Sequence, residues 1–264
     1  MSETAPSADG TPVRYLCQRA ARPIAIDGQL DEDAWAQATR SPRFVDMATG
    51  AVTLFDTRAS LLWDDDCLYV GVWLAETDVR STGAERTGLV WQENAVEVFI
   101  AGPGTVYELA VNPLRTSLEM LYIWKDSYQR GGRYDIPEFD LAVHQPMVFG
   151  GDAGPHHPRG MRWGFFHWHF PNLQIDVHID GTLNQREDVD RGWSVELAFP
   201  WRGMGHLAPE GAPPPKAGDV WRLALARRQI IDQNTAPRVA TWTWQQLASG
   251  DLLAPESYLD IELA

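Results

Sequence analysis

Tryptophan beside carboxylate and amide side chains is the combination in this sequence best suited to holding a ligand. Trp91 stands at a predicted loop-to-strand junction and is followed by Gln92, Glu93 and Asn94. An exposed indole ring edged by such groups can stack on an apolar ligand face while the polar groups satisfy hydroxyls. We therefore expect Trp91, Glu93 and Asn94 to contribute to a binding site.

A second aromatic segment, Thr241-Trp242-Thr243-Trp244, alternates between two residue types. Successive side chains of a strand point to opposite faces. This alternation predicts that Trp242 and Trp244 share one face and the two threonines share the other.

Carboxylates also lie on predicted strands. In Ala95–Ile100 the period of two places Glu97 on the face opposite Val96 and Val98. Glu97 can bind a ligand hydroxyl there, or it can pair with an arginine to hold the sheet; the arginines considered are Arg222, Arg227 and Arg228.

Glu108 and Asn112 are four residues apart, which places them on one face of a strand and predicts that they line a concave sheet. Asn112 precedes Pro113, so it can equally end the strand as a turn residue.

Histidines are concentrated in one part of the chain: six of the seven are His144, His156, His157, His167, His169 and His178. Residues 166–170 read as a strand with His167 and His169 on one face, a spacing that can ligate zinc or copper. No third ligand has a diagnostic spacing, so the sequence leaves a metal site unknown and a polar strand face as the alternative.

The sequence identifies no cofactor with certainty, and calcium is the one ion that we keep as a candidate ligand. Loop carboxylates suit it, and they occur at Asp64, Asp65 and Asp66 and at Asp188 and Asp190. Neither run matches an EF-hand, so solvated turns are the favoured interpretation.

The overall composition narrows the partners. The chain has 264 residues, 12 of them Trp, and a formal net charge of -14. This charge repels phosphate backbones and anionic membranes, so we expect neither nucleic acid nor membrane as a partner.

Cys17 and Cys67 do not have the spacing of metal ligands, and we interpret them as buried apolar residues or as one disulfide bridge. The amino terminus lacks the features of a secretory signal, which predicts a cytoplasmic protein with secretion left open.

Short apolar runs broken by turn residues predict an all-β protein. We expect a disordered leader at residues 1–21. Residues 22–264 are expected to form a single antiparallel two-sheet β-sandwich, jelly-roll-like, with one or two short helices. A long loop rich in His, Gly and Pro is expected at residues 137–164.

Four motifs in order carry a family resemblance: IDGQLDEDAW at 26–35, WDDDCLYV at 63–70, ENAVEVFI at 93–100 and YELAVN at 107–112. Together with later segments they resemble the family-9 carbohydrate-binding modules from about Arg22 to Leu263. Trp35, Trp193 and Trp221 sit among apolar neighbours, and we assign them to the core.

The resemblance implies sugar recognition without covalent change, the partner being a carbohydrate or a glycosylated small molecule. In the resembling modules two tryptophans sandwich the terminal sugar, and the first precedes a hydrogen-bonding carboxylate by six residues. Trp91 and Glu97 have that spacing, and Trp244 is the positional match for the second ring. Glu108 and Asn112 complete the predicted site, with Glu93, Asn94, Arg227 and Trp242 as outer support.

Two features depart from the family pattern. Thr241 stands where relatives often carry Asn, and Ala254 stands where they often carry His before the Pro-Glu pair. Both departures remove groups that could bind hydroxyls.

Two other functions remain open. An enzyme acting on a carbohydrate or glycoside, as hydrolase, lyase or isomerase, could use Glu93 with Glu97, or Glu97 with His167 and His169, as acid and base. No nucleophile elbow, Walker loop or HExxH motif supports it. A haem-binding electron-transfer domain could use Met120, Met147 or Met161 with a histidine, although no CxxCH motif is present.

Overall fold

The computed structural model describes residues 14–81, 90–150, 157–209, 214–232, 238–247 and 250–264, with the side chains of Trp91 and Asp232 outside the description. Within these residues there are fourteen strands and two short α-helices, α1 (Asp33–Gln37) and α2 (Leu141–His144). None of the described helices has the length and apolar character needed to span a bilayer.

The strands follow one another along most of the chain. Their bounds are β1 Arg14–Arg19, β2 Val45–Asp46, β3 Thr57–Trp63, β4 Cys67–Ala75, β5 Ala95–Gly102, β6 Thr105–Val111, β7 Ser117–Trp124, β8 Met147–Phe149, β9 Arg162–Phe165, β10 Gln174–Asp180, β11 Gly192–Pro200, β12 Val220–Asp232, β13 Arg238–Thr243 and β14 Leu259–Leu263.

The strands form one continuous mixed sheet in the order β10-β11-β4-β3-β1-β14-β12-β5-β6-β7-β9-β8, with β13 on β12 and β2 on β13. Strand β1 is parallel to both of its neighbours, β14 and β3. The prediction of an all-β protein with few short helices is confirmed. The predicted antiparallel two-sheet sandwich differs in one respect, because two parallel pairings join the strands into one mixed sheet.

Strand β1 is the reason for this difference. It lies within residues 1–21, which the sequence analysis assigned to a leader. Its alternation buries Tyr15 and Cys17 while Arg14 and Leu16 face outward. Because β1 joins β3 to β14, it connects what would otherwise be two separate sheets. Cys17 and Cys67 are both buried free thiols.

The two halves of the sheet pack against each other through one hydrophobic core. Val70 and Val72 of β4 belong to the same buried cluster as Val98 of β5 and Leu109 of β6. Fully burying each such side chain contributes roughly 1.5–3 kcal/mol. The opposite face of β5, β6 and β7 is also covered, because Leu247, Leu252 and Tyr258 pack over it.

The first family motif is held by a buried carboxylate of β11. Glu196 accepts hydrogen bonds from the backbone N–H groups of Asp27 and Gly28, both at 2.9 Å, and from the indole Nε1 of Trp35 at 2.8 Å. Gly28 has φ +84°, and a Cβ atom there would lie 2.7 Å from the backbone of Val177. This geometry explains the glycine, and it confirms the core assignment of Trp35.

The region expected to be a long loop, residues 137–164, contains regular structure in its described part: a 3₁₀ helix at Pro137–Phe139, then α2, β8 and the beginning of β9. Residues 166–170, predicted as a strand, instead form a turn at 166–167 followed by irregular structure.

Candidate functional site

Two predicted site residues, Glu97 and Glu108, lie on the same covered face of neighbouring strands. In the antiparallel pairing of β5 with β6, Glu97 is opposite Ala110 and Glu108 is opposite Phe99. The two glutamates are therefore diagonal neighbours, a separation that long side chains bridge.

Glu97 is fully buried and bonded to an arginine of β12. Its Oε2 accepts a hydrogen bond from Arg228 Nε at 2.9 Å, and Arg228 Nη1 donates to Thr241 Oγ1 at 3.0 Å. The Arg228 side chain is 25% exposed, so this end of the pair reaches solvent. Among the described residues nothing hydrogen-bonds the other oxygen, Glu97 Oε1. Burial raises the pKa of Glu97, and the charge of Arg228 opposes that shift.

Glu108 is bonded to a tyrosine of the next strand. Its Oε2 accepts a hydrogen bond from Tyr122 Oη at 2.5 Å. Burial raises the pKa of Glu108 to about 7, the negative charge of Glu97 adds to the rise, and the Tyr122 hydrogen bond works against it. Glu108 can therefore hold or release a proton near neutral pH.

Arg162 of β9 completes the cluster. Its guanidinium lies 4.9 Å from the ring centroid of Trp124 and 3.6 Å from Asp251 Oδ2. Its Nε is buried and has no hydrogen-bond partner within the described part of the chain. Buried polar atoms are normally satisfied. Glu97 Oε1 and Arg162 Nε are thus two buried polar atoms on the covered face of the sheet, and neither has a hydrogen-bond partner among the described residues.

The sequence pattern predicts Glu97 and Glu108 as site residues but not most of their partners. Arg228 was one of three arginines proposed for Glu97, and Thr241 was predicted to lie on the face opposite the two tryptophans, without a role in the site. Tyr122, Arg162 and Asp251 were missed. A period-of-two reading of Ser117–Trp124 against Glu108 could have found Tyr122.

The two tryptophans of β13 and its end face the core. Trp242 is buried, with the guanidinium of Arg227 5.0 Å from its ring centroid. Trp244 is buried and meets the ring of Tyr15 edge-on at 5.0 Å. The prediction that the two rings share a face agrees with their common cluster, but that face is the hydrophobic core, so neither ring presents a free surface to a ligand.

Trp91 precedes β5 in a 3₁₀ helix, Val90–Gln92, and its side chain is outside the described residues. Its stacking role stays a prediction from the sequence.

Arg227 serves the core rather than the outer face. It pairs with Glu76 at 3.0 Å and donates to Gln229 Oε1 and to Thr57 Oγ1, both at 2.9 Å. Burial lowers the pKa of Arg227 to about 10, and the charge of Glu76 opposes this.

The remaining predicted ligand-binding residues hold loops. Ser81 Oγ donates to Glu93 Oε2 at 2.8 Å, and Asn112 Nδ2 donates to the same oxygen at 3.2 Å. Asn112 Oδ1 accepts the backbone N–H groups of Leu114 and Thr116, which is the turn role considered for it. Asn94 Oδ1 accepts the backbone N–H of Ile230.

The two histidines proposed as ligands or bases are engaged separately. The His167 ring stacks on His144 with centroids 3.7 Å apart, and its Nε2 is 2.9 Å from the Glu138 carbonyl oxygen. His169 lies 3.2 Å from Glu119 Oε1. His156 lies outside the described residues.

Two of the proposed calcium carboxylates, Asp64 and Asp190, act as turn caps. Asp64 Oδ1 accepts the backbone N–H groups of Asp66 and Cys67, and its Oδ2 accepts from Tyr69. Asp190 accepts the N–H groups of Val79 and Thr182. Within the described residues no three His, Cys, Asp or Glu side chains form a group that could hold a metal ion.

Part of the chain is similar to a known protein family. Residues 26–108 match the family described as carbohydrate family 9 binding domain-like. No curated protein matches the chain.

Three solved structures share the fold. A family-9 carbohydrate-binding module from Caldicellulosiruptor kristjanssonii in complex with cellotriose is 16% identical, with a TM-score of 0.52 over 95% of this chain and 93% of that one. Its complex with glucose gives the same identity and TM-score over 95% of each chain. A putative carbohydrate-binding protein from Bacteroides uniformis ATCC 8492 is 10% identical, with a TM-score of 0.59 over 96% of this chain and 100% of that one.

Proposed function

We propose that this family-9 carbohydrate-binding-module-like protein binds a neutral carbohydrate without changing it covalently. In this proposal Arg228, held by Glu97, receives the sugar hydroxyls. The observation that supports the proposal most directly is an arginine that reaches solvent and is held in place by a fully buried carboxylate.

The chemistry of the pair suits a sugar hydroxyl. The hydroxyl oxygen can accept from the part of the Arg228 guanidinium that reaches solvent, while the buried Glu97 carboxylate holds that guanidinium in place. Both groups are planar and are fixed before binding, Arg228 by Glu97 and Thr241 and Glu97 by complete burial. Such preorganisation lowers the entropy cost of binding.

A stacking ring is the other requirement of sugar recognition. We assign this role to Trp91, six residues before Glu97, on the sequence argument alone. Trp242 and Trp244 are not part of the proposed site because their rings lie in the core.

Two further facts support a neutral sugar as the ligand. The related module from Caldicellulosiruptor kristjanssonii was solved with cellotriose and with glucose. The net charge of -14 disfavours anionic ligands such as nucleic acids.

The test is calorimetric titration of the protein with cellotriose, xylotriose and glucose. Arg228→Lys keeps the positive charge but removes the planar guanidinium, so we expect affinity to fall about tenfold, or about 1.4 kcal/mol. The matched control is Arg191→Lys, because Arg191 forms an exposed pair with Asp180. Trp91→Ala is expected to weaken binding as well.

Circular dichroism and urea unfolding establish that each variant is folded. Equal affinity of folded Arg228→Lys and the parent protein would contradict the role of the pair. No binding of any sugar by the parent protein would contradict the proposed function itself.

One observation favours a second candidate, acid/base catalysis on a glycoside by Glu97 and Glu108. Glu108 has a pKa raised to about 7 beside another buried carboxylate, which is the property of a general acid. Mass spectrometry of the same sugars after incubation with the protein distinguishes binding from catalysis. A new product that Glu108→Gln abolishes would establish catalysis, and unchanged sugars would support binding alone.

A further inference from the structure

A wide groove lies at the end of the sheet where β12 begins. Its volume is about 1320 Å³, and it is lined by the turn between β3 and β4, the turn between β5 and β6, a 3₁₀ helix at Trp201–His206 and the first residues of β12. This is larger than the roughly 300–1,000 Å³ of ordinary small-molecule pockets, so it suits an extended ligand.

The groove is separate from the Glu97–Arg228 pair. Strand β12 runs from Val220 and Arg222 in the groove to Arg228 in the proposed sugar site. Six residues of strand span roughly 20 Å. A ligand of ordinary size in one place does not occupy the other.

Two tryptophans form the aromatic part of the groove. Trp201 and Trp221 are each half-buried, and their ring centroids lie 5.5 Å apart with the planes tilted by 41°. Trp221 packs against the main core as the sequence predicted, but its side chain is only partly buried. Trp201 is held at both ends, because its backbone N–H donates to the Asp66 carbonyl and its indole Nε1 to the Asp64 carbonyl, each at 2.9 Å.

Free polar side chains stand beside the fixed ring. Asp66 and Arg202 are exposed, line the groove, and make no side-chain hydrogen bond or ion pair with any other described residue. A carboxylate and a guanidinium next to a rigid indole supply what a sugar ring requires, namely an apolar surface with an acceptor and a donor at its edge.

The charges of the groove indicate the kind of ligand. Its described lining contains three aspartates, Asp65, Asp66 and Asp219, and three arginines, Arg159, Arg202 and Arg222. Their formal charges cancel, so the groove attracts neither anions nor cations strongly. The ligand that fits both the aromatic pair and the balanced charge is neutral and rich in hydroxyl groups.

We infer that the Trp201–Trp221 groove is a second carbohydrate-binding surface, which takes a neutral oligosaccharide chain across the two indole rings between Asp66 and Arg202. It is independent of the Glu97–Arg228 site and would exist whether or not that site binds sugar.

The experiment uses the full chain labelled with 5-fluorotryptophan and observed by fluorine NMR. Trp201→Phe and Trp221→Phe assign the two resonances. Cellohexaose, xylohexaose and mannohexaose are the three probes. We expect at least one of them to move both resonances along a single binding curve, in the parent protein and equally in Arg228→Lys.

Arg202→Ala is the functional variant, because Arg202 is exposed and its loss leaves the packing of Trp201 in place. We expect it to weaken the binding reported by Trp201 about tenfold, as when a hydrogen bond to a charged group is lost. Arg191→Ala, which removes an exposed arginine elsewhere, should leave that binding unchanged.

Two results would overturn the inference. One is that neither resonance moves with any probe at millimolar concentrations. The other is that the resonances move but Arg202→Ala and Arg191→Ala behave alike. Failure of the Glu97–Arg228 site is detected separately. In that case calorimetry would give Arg228→Lys the same affinity as the parent protein, whereas the Trp201 resonance does not depend on Arg228.

Discussion

The negative charge of Glu97 contributes to raising the pKa of Glu108, because the two carboxylates are diagonal neighbours on one buried face of β5 and β6. Within the described parts of the chain, Glu97 has a direct arginine partner, Arg228, whereas Glu108 is bonded to the hydroxyl of Tyr122. Glu97 is therefore a carboxylate paired with a cation, and Glu108 is a carboxyl group that keeps its proton up to about neutral pH.

This division predicts a pH dependence of stability. The pKa of Glu108 rises from 4.5 to about 7 on folding, so between these values the folded state binds more protons than the unfolded state. The contribution of Glu108 is fully present below pH 4.5 and is lost as the pH rises through about 7. Glu108→Gln keeps an acceptor for Tyr122 and removes the titration. Over this pH range the free energy of unfolding of the parent protein should therefore fall by up to about 3 kcal/mol more than that of the variant.

Urea unfolding at pH 4.5 and pH 7.5 measures this difference. The control is Glu187→Gln, because Glu187 is exposed, and it should keep the parent protein's pH dependence. If Glu108→Gln also kept it, Glu108 would have to be ionised throughout the range, contrary to its burial.

A second prediction concerns Trp244. Its ring is buried against Tyr15, so Trp244→Ala should lower the free energy of unfolding by about 3–5 kcal/mol through the cavity it leaves. Trp244→Phe keeps an aromatic ring in the core and should cost less. Equilibrium urea unfolding of both variants gives the comparison. A Trp244→Ala protein as stable as the parent would mean that the ring is free for a ligand, as the family resemblance implies.

Much of the fold could be predicted from short-range patterns. Alternation in Ala95–Ile100 placed Glu97 opposite the valines, and alternation in Thr241–Trp244 placed the two rings on one face. The mixed topology could not be predicted in this way. Strand β1 pairs with the far end of the chain, Arg14 opposite Asp260, and a local pattern contains no information about such a distant partner.

The site was predicted only in part, for a related reason. The period of two shows which face a side chain takes, but the fold decides whether that face is covered. Trp242 and Trp244 were therefore assigned to a ligand, although their face is the core. The partner of Glu108 depends on the register of β6 with β7, in which Glu108 is opposite Met120 and Tyr122 is the diagonal neighbour.

The family motif at 26–35 leads to a third prediction. Both carboxylate oxygens of Glu196 are used, one by the backbone N–H groups of Asp27 and Gly28 and the other by the indole N–H of Trp35. Glu196→Gln replaces one oxygen with an NH₂ group, which then faces a donor instead of accepting from it. Since hydrogen bonds to a charged acceptor contribute about 1.5–3 kcal/mol each, we expect a loss of roughly 2–3 kcal/mol in the free energy of unfolding.

Thermal and urea unfolding measure that loss, with Asp31→Asn as the matched control because Asp31 is an exposed acid in the same motif. The control should unfold like the parent protein, and a Glu196→Gln protein that did the same would contradict the anchoring role of the carboxylate. A large loss restricted to Glu196→Gln would show that attachment of the motif to β11 stabilises the fold. Sugar binding at Arg228 would then be expected to persist in any fraction of the variant that remains folded, because Glu196 lies on neither proposed site.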